Sequence, residues 1–231
     1  MSEGVDAKFI ELISNATNQQ NEVSEADRRS NHDIQIELQR HLYDDYGYLY
    51  ERKTGEFHDG IQNGFISKNL VVDRFKFLKA YWAFIGEPAA ARRTSEKVSF
   101  KEEMFYRILH DTSRYHEMFF SFLMFHEMEE LEETFSKKSD SIETYGYGLM
   151  YGKWAIIASI GFSKPSIERK APEIFRQAKE QVNQKLSIWK SFDEYASSKR
   201  KETKYFKPRP NFELYYKVAL LEEDLREFFL K

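Results

Sequence analysis

Apolar residues recur three or four positions apart along most of the chain, a spacing that places them on one face of an α-helix. This pattern predicts helices at residues 70–85, 113–136 and 145–160. It also predicts one long amphipathic helix at residues 172–195 and a last helix at residues 212–230. The segment at residues 113–136 carries apolar side chains on more than one face, which predicts a position at the centre of the core.

Polar interruptions divide the start of the chain into shorter elements. A first apolar helical face ends near residues 18–22, and a second helix begins after Ser30 and ends before Gly47. The residues from Tyr48 to Lys53 have the composition of a short strand, and a turn sequence follows them at residues 54–56. The pattern therefore predicts a small β-hairpin at residues 47–58.

These elements together define a mainly α fold. We predict a multi-helix orthogonal or bundle-like domain in which the hairpin is the β-structure. Residues 1–110 would form a helical subdomain that contains the hairpin, and residues 111–231 a second helical subdomain continuous with it. A basic segment at residues 197–211, which contains two prolines, has the composition of a linker.

Composition narrows the classes of protein. With 231 residues and 16% aromatic content, the chain can bury a sizeable core and does not have the composition of a disordered protein. Its net charge of −3 gives no general attraction to nucleic acid, so any such site must be local. The absence of cysteine excludes disulfides, thiolate zinc sites and a thiol nucleophile. No segment resembles a membrane span or a signal peptide, and we predict a cytoplasmic protein.

Side-chain amides and charges are concentrated near the start of the chain. Amides add little to helix formation and normally lie at surfaces, where each one finds several hydrogen-bond partners. The segment is either a polar network that caps two helices or a surface that binds a polar partner such as nucleic acid or a nucleotide. The residues of this candidate polar site are Asn15, Asn18, Gln19, Asn21, Arg28, Ser30, Asn31, Tyr50, Glu51, Arg52 and Lys53.

Glu51 and Lys53 suggest one specific chemistry. On a strand they would point to the same face, as the carboxylate and the lysine of restriction-type nucleases do. Such a site needs a second acidic ligand, normally on a neighbouring strand, and the sequence shows no adjacent strand that supplies one. An ion pair with Glu56, or contact of Arg52 and Lys53 with phosphate, explains the same residues without catalysis.

The segment at residues 198–210 forms a candidate basic patch. Its cations would neutralise phosphates while the neighbouring aromatic residues stack on bases, or they would simply form a solvated helix end and linker. The cations are Lys199, Arg200, Lys201, Lys204, Lys207 and Arg209. His116 and His126 are ten positions apart on one predicted helix, too far for one metal ion, and no metal site is predicted.

An ordered series of polar motifs at residues 16–21, 27–31 and 47–55, with Gln35 and Glu37 between them, resembles the C-terminal half of the abortive phage infection (AIPR) family. The similarity continues more loosely through residue 109 and reaches Gly161, about two thirds of the chain. Family members are usually much longer and carry an upstream domain. The resemblance therefore implies a separated C-terminal part, either one domain or one half of a split gene.

The resemblance implies a role in phage defence in which infected cells are sacrificed. The chain would be a recognition or scaffold module that works with an upstream effector domain or with a partner chain, and we do not expect it to be an enzyme alone. The alternatives that stay open are a metal-dependent nuclease that uses Glu51 and Lys53, and a helical module that binds nucleic acid. No cofactor and no membrane partner are expected, and the oligomeric state is left open.

Overall fold

A computed structural model describes residues 24–230 as fifteen helices and two short strands. The elements before the central helix are α1 Glu25–Arg28, α2 Asp33–Tyr46, β1 Leu49–Glu51, α3 His58–Gln62, β2 Val71–Asp73, α4 Arg74–Phe84, α5 Pro88–Arg93, α6 Glu96–Ser99 and α7 Glu102–Leu109. The central helix and those after it are α8 Tyr115–Glu133, α9 Lys138–Tyr145, α10 Gly148–Tyr151, α11 Lys153–Phe162, α12 Glu173–Ser187, α13 Trp189–Lys199, α14 Phe212–Tyr215 and α15 Leu220–Phe229. The prediction of a mainly α fold is confirmed.

Helix α8 lies at the centre of the core. It packs against α4 on one side and α12 on another, and it also contacts α2 and α11. Phe119, Phe120 and Met124 are fully buried within it, as a helix that is apolar all round requires. No helix in the described part of the chain is both long and apolar enough to cross a membrane.

The predicted β-hairpin is wrong. Strand β1 pairs instead with β2, in parallel, and the register places Tyr50 opposite Val72 and Glu51 opposite Asp73. Parallel strands need a crossover connection, which residues 52–70 supply with α3 and a short 3-10 turn. Strand β2 lies within the helix predicted at residues 70–85; α4 begins only at Arg74, where the Asp73 side chain caps it.

Glycines divide the helix predicted at residues 145–160. Gly146 has a φ of +65° and ends α9, and Gly152 separates α10 from α11. The helix predicted at residues 172–195 is likewise interrupted, at Ile188. Gly161 has a different role, because a Cβ there would lie 1.9 Å from the carbonyl oxygen of Phe84. Its lack of a side chain allows the backbones of α4 and α11 to meet.

The segment at residues 197–211 is packed against the rest of the structure. Helix α13 continues through its first residues to Lys199. Further along, Phe206 is buried against Phe212 and Tyr215, with its ring edge directed at Phe212. Contacts of this kind fix the segment in the core, so its basic and proline-rich composition does not make it a free linker.

Candidate functional site

The candidate polar site is only partly within the described residues. Asn15, Asn18, Gln19 and Asn21 lie outside them. Of the others, Arg28, Asn31 and Lys53 are exposed, Glu51 and Arg52 are half-buried, and Ser30 and Tyr50 are buried. The tyrosine ring packs edge-on against Phe77 in the core. Tyr50 is therefore part of the core beneath the site, and its side chain cannot contact a binding partner.

Arg74 joins the parts of this polar segment. The residue is only 3% exposed, and the guanidinium donates to Asp27 at 2.8 Å, to Glu96 at 3.0 Å and to the Thr54 hydroxyl at 3.1 Å. It also donates to the main-chain carbonyl of Arg52. A buried arginine with two carboxylates and two further acceptors is satisfied, so this Arg74 hub fixes α1, the turn after β1 and α6 relative to one another.

Arg52 connects the hub to the rest of the predicted site. Its guanidinium donates to the carbonyl of Ser30 at 3.3 Å and to the carboxylate of Glu56 at 3.2 Å. The same carboxylate accepts the main-chain N–H of Arg52 at 2.7 Å and that of Lys53 at 3.3 Å, which closes the turn after β1. The structure thus brings Ser30 and Arg52 together, and Arg52 forms the ion pair with Glu56 that the sequence allowed.

An open cleft of about 800 Å³ lies between the small sheet and α8. Because the strands are parallel and in register, Glu51 and Asp73 stand side by side and both line this cleft. Across it, the Lys76 ammonium bridges to both carboxylate oxygens of Glu129 at 2.9 Å. The acidic residues of the cleft are Glu51, Asp73, Glu129, Glu130 and Glu133, and its basic residues are Lys68, Lys76 and His126.

The surroundings of Glu51 raise the pKa of its carboxyl. Burial raises the pKa of Glu51, and the negative charge of Asp73 raises it further, against a main-chain hydrogen bond that lowers it. That bond is donated by the N–H of Gly55 at 2.8 Å. The carboxylate of Asp73 has its own partner, the N–H of Lys76 at 2.7 Å. Both carboxylates therefore carry a structural hydrogen bond in addition to facing the cleft.

The alignment of Glu51 with Lys53 does not follow from the strand, because β1 ends at Glu51 and Lys53 lies in the turn beyond it. Within residues 24–230, no group of three or more carboxylate or histidine side chains is arranged to hold a metal ion. His126, which faces the same cleft, lies 3.5 Å from the carboxylate of Glu130, one turn along α8. The second carboxylate that the sequence lacked is nevertheless present in Asp73.

The candidate basic patch is divided by its contacts. The Lys199 ammonium lies 2.9 Å from Asp224 and 3.2 Å from Glu223, and it also contacts Glu227. The Arg200 guanidinium contacts both Asp224 and Glu223 at 2.8 Å. Asp224 is fully buried; burial alone would raise the pKa of its carboxyl, but the hydrogen bonds from the two cations hold it below its usual range. The charges of Lys199 and Arg200 are therefore paired with carboxylates of α15.

The remaining cations of the patch point outward. Lys207 pairs with Glu202, a neighbour in the same segment. Lys201, Lys204 and Arg209 are exposed, and none has a carboxylate at ion-pair distance among the residues that the structure describes. The surface thus presents about half of the positive charge that the sequence of the segment contains.

Two residues of the site were missed in the sequence. Arg74 is a charged residue at the boundary of an apolar segment, and Asp73 precedes it where the pattern predicted helix. The local signal was the pair Val71-Val72, whose β-branched side chains favour a strand. Neither the pairing of β2 with β1 nor the burial of Arg74 is visible in local sequence, because both depend on contacts with distant segments.

Comparison with known proteins identifies a family. The family model described as AIPR protein matches residues 2–208, well over half of the chain and further than the motifs alone suggested. No curated protein and no solved structure gave a match. The matched region includes the Arg74 hub, the cleft and most of the basic patch. The chain belongs to the AIPR protein family, which is associated with abortive infection as a defence against phage.

Proposed function

We propose that this chain is a non-catalytic recognition module of an abortive-infection system. It acts in the cytoplasm with an effector domain or a partner chain, and its recognition surface is the cleft between the sheet and α8. The observation that carries the proposal is the cleft itself: an open volume of about 800 Å³ lined by five carboxylates and only two lysines and one histidine. Such a surface favours a polypeptide with exposed basic residues.

The charges of the cleft argue against nucleic acid as its partner. Phosphate groups would face the carboxylates of Glu51, Asp73 and Glu129, and like charges disfavour association. The positive charge of Lys76 is already matched by Glu129. The basic patch is the alternative nucleic-acid surface, and the salt bridges of Lys199 and Arg200 to α15 reduce its charge. Recognition of a basic protein surface therefore fits the described charges better.

The test is a phage challenge in cells that express the chain together with its genomic neighbours. Charge reversal by Glu130→Lys combined with Glu133→Lys changes two exposed carboxylates of the cleft. Glu180→Lys is the matched control, an exposed glutamate on α12 that does not line the cleft. We expect the cleft variant to lose protection with an unchanged thermal midpoint, and the control to keep it. Full protection by the cleft variant would overturn the proposal.

A second candidate function is metal-dependent cleavage of nucleic acid, which one observation favours: Asp73 stands beside Glu51 on the neighbouring strand. One or two carboxylates, completed by water and substrate phosphates, are a usual Mg²⁺ environment. If this function holds, magnesium or manganese supports DNA cleavage by the purified chain, and Glu51→Ala abolishes it. We expect no cleavage. Cleavage that persists in Glu51→Ala would point to a contaminant, and cleavage abolished in that variant would replace our first proposal.

The dependence of affinity on salt concentration distinguishes binding of nucleic acid from the two functions above, recognition of a basic protein and cleavage of nucleic acid. Reversal of Lys199 or Arg200 is unsuitable as a test because it would place a negative charge beside the buried Asp224. Lys201→Glu combined with Lys204→Glu changes exposed cations instead. If these lysines bind phosphates, the slope of log affinity against log salt should fall by about one unit for each phosphate that is no longer neutralised.

A further inference from the structure

A second depression, independent of the cleft, runs along one face of α13. It has a volume of about 670 Å³, and its opposite wall is formed by the end of α9, the turn before α10 and Phe212. Asp193 and Ser197 are four residues apart on α13 and share one side of it, and Lys201 lies beyond the end of the helix at Lys199. From Asp193 to Ser197 the groove extends about 6 Å along the axis, at 1.5 Å per residue.

Asp193 is a buried hydrogen-bond acceptor in this groove. The residue is only 5% exposed. One carboxylate oxygen accepts a hydrogen bond from the Tyr216 hydroxyl at 2.5 Å, and the other accepts one from the Tyr147 N–H at 2.7 Å. The indole N–H of Trp189 donates in turn to the Tyr216 oxygen at 2.7 Å, which orients the tyrosine hydroxyl towards the carboxylate. No cation lies within ion-pair distance of Asp193 among the described residues.

The backbone around Asp193 is shaped to admit the carboxylate. Gly146 has a φ of +65°, and a Cβ there would lie 2.4 Å from the carboxylate oxygen of Asp193. Any other residue would displace the acid or the turn that donates to it. Each carboxylate oxygen can accept two hydrogen bonds, and each oxygen of Asp193 has one donor, so acceptor capacity is left on both.

Lys190 and Glu194 also line the groove, next to Asp193, and the far end carries a further cation. Lys201 is exposed without a carboxylate partner in the described structure, and Ser197 and Ser198 lie one turn before it. An ammonium and two hydroxyls on one face suit a phosphate group, which accepts hydrogen bonds from both kinds of donor. Between the two ends, the ring of Tyr147 stacks on Phe212 at 4.2 Å and gives the wall an aromatic surface.

We propose that this groove binds a nucleoside monophosphate whose base presents N–H donors, as guanine does. The base lies against the aromatic wall and donates to Asp193, and the phosphate binds Lys201 with Ser197 and Ser198. A carboxylate recognises an edge that carries adjacent N–H donors, whereas an adenine edge places a ring nitrogen acceptor against it.

Calorimetric titration of the full chain with GMP, AMP and inorganic phosphate tests this assignment at about pH 8, above the raised pKa of Asp193, where its carboxyl is an acceptor. We expect GMP to bind at least ten times more tightly than AMP, because the wrong base leaves Asp193 facing an acceptor. Lys201→Ala should weaken GMP about tenfold, the usual effect of removing one charge-assisted hydrogen bond. Lys204→Ala is the matched control, since Lys204 is an exposed lysine of the same segment that does not line the groove; it should leave the affinity unchanged.

Three results would overturn the proposal. Equal affinity for GMP, AMP and inorganic phosphate would show a simple anion site, and no binding of GMP would remove the site. Equal effects of Lys201→Ala and Lys204→Ala would show that the attraction is general electrostatics. Asp193→Asn should abolish the preference for GMP over AMP. If that variant does not fold, Ser198→Ala, at an exposed position, still tests the phosphate end by weakening GMP and inorganic phosphate alike.

Discussion

Asp193 should make the stability of the protein depend on pH in an unusual direction. Burial raises the pKa of this carboxyl from 3.8 to about 7, against the lowering effect of the hydrogen bonds from Tyr216 and the Tyr147 N–H. In the unfolded chain the same group has its ordinary pKa. Between these two values the folded protein therefore holds a proton that the unfolded chain has released. Folding is favoured by protons over this range.

The sign of the effect follows from proton binding. The contribution of Asp193 is fully present below about pH 4 and is lost as the pH rises through about 7, because the folded state then has a buried negative charge. The difference between the two pKa values corresponds to roughly 4 kcal/mol of unfolding free energy. Acidic groups with a lowered pKa, such as Asp27 and Asp224, make the protein more stable as the pH rises. The contribution of Asp193 must therefore be measured separately from theirs.

The substitution Asp193→Asn isolates the contribution because it removes the titration and keeps the size of the side chain. Urea unfolding of both proteins at a series of values from about pH 4 to about pH 8 gives the difference in unfolding free energy at each pH. We expect this difference to change by roughly 4 kcal/mol in favour of the variant as the pH rises. A difference that stays constant with pH for Asp193→Asn would refute the reasoning.

Three further predictions concern stability. Gly161→Ala should lower the unfolding free energy by about 3 kcal/mol or more, since its Cβ would overlap the Phe84 carbonyl; an unchanged urea midpoint would show that the two helices separate freely. Asp224→Asn should cost about 1.5–3 kcal/mol, because it weakens the charge-assisted hydrogen bonds that the buried Asp224 accepts from Arg200; thermal melting at neutral pH measures the loss against the exposed Glu223→Gln. Ile157→Ala, in the fully buried part of α11, should cost about 2–5 kcal/mol, and a loss below about 1 kcal/mol would place it outside the core.

Helical periodicity predicted most of the fold because it is a local property. The apolar surplus at residues 113–136 indicated a central helix, and α8 is buried at the centre. Strand pairing is not local, and the three-residue strand β2 was concealed inside an apolar pattern with helical spacing. The helix predicted at residues 145–160 is divided for a different reason. Gly146 ends α9 and Gly152 ends α10, and the helical spacing of apolar residues does not reveal either end.

The candidate site was less predictable, because it depends on which distant charges meet. The basic composition of residues 198–210 was evident, but the carboxylates that neutralise Lys199 and Arg200 come from α15, more than twenty residues later. Glu51 is a second example, because the carboxylate beside it belongs to Asp73 on the neighbouring strand, and the sequence does not predict that strand. Sequence identified the types of residue correctly. Their partners are set by the packing of helices, which local patterns do not determine.

The Arg74 hub has a consequence for how the chain folds as it is synthesised. Its side-chain contacts with Asp27, Thr54 and Glu96 each span at least 20 residues, so loops must close before any of them forms. Translation delivers Asp27 and Thr54 ahead of Arg74, and Glu96 after it. A nascent chain that ends before Glu96 would bury a guanidinium with one of its two carboxylates. Emergence of α6 from the ribosome is therefore the step at which this region becomes fixed.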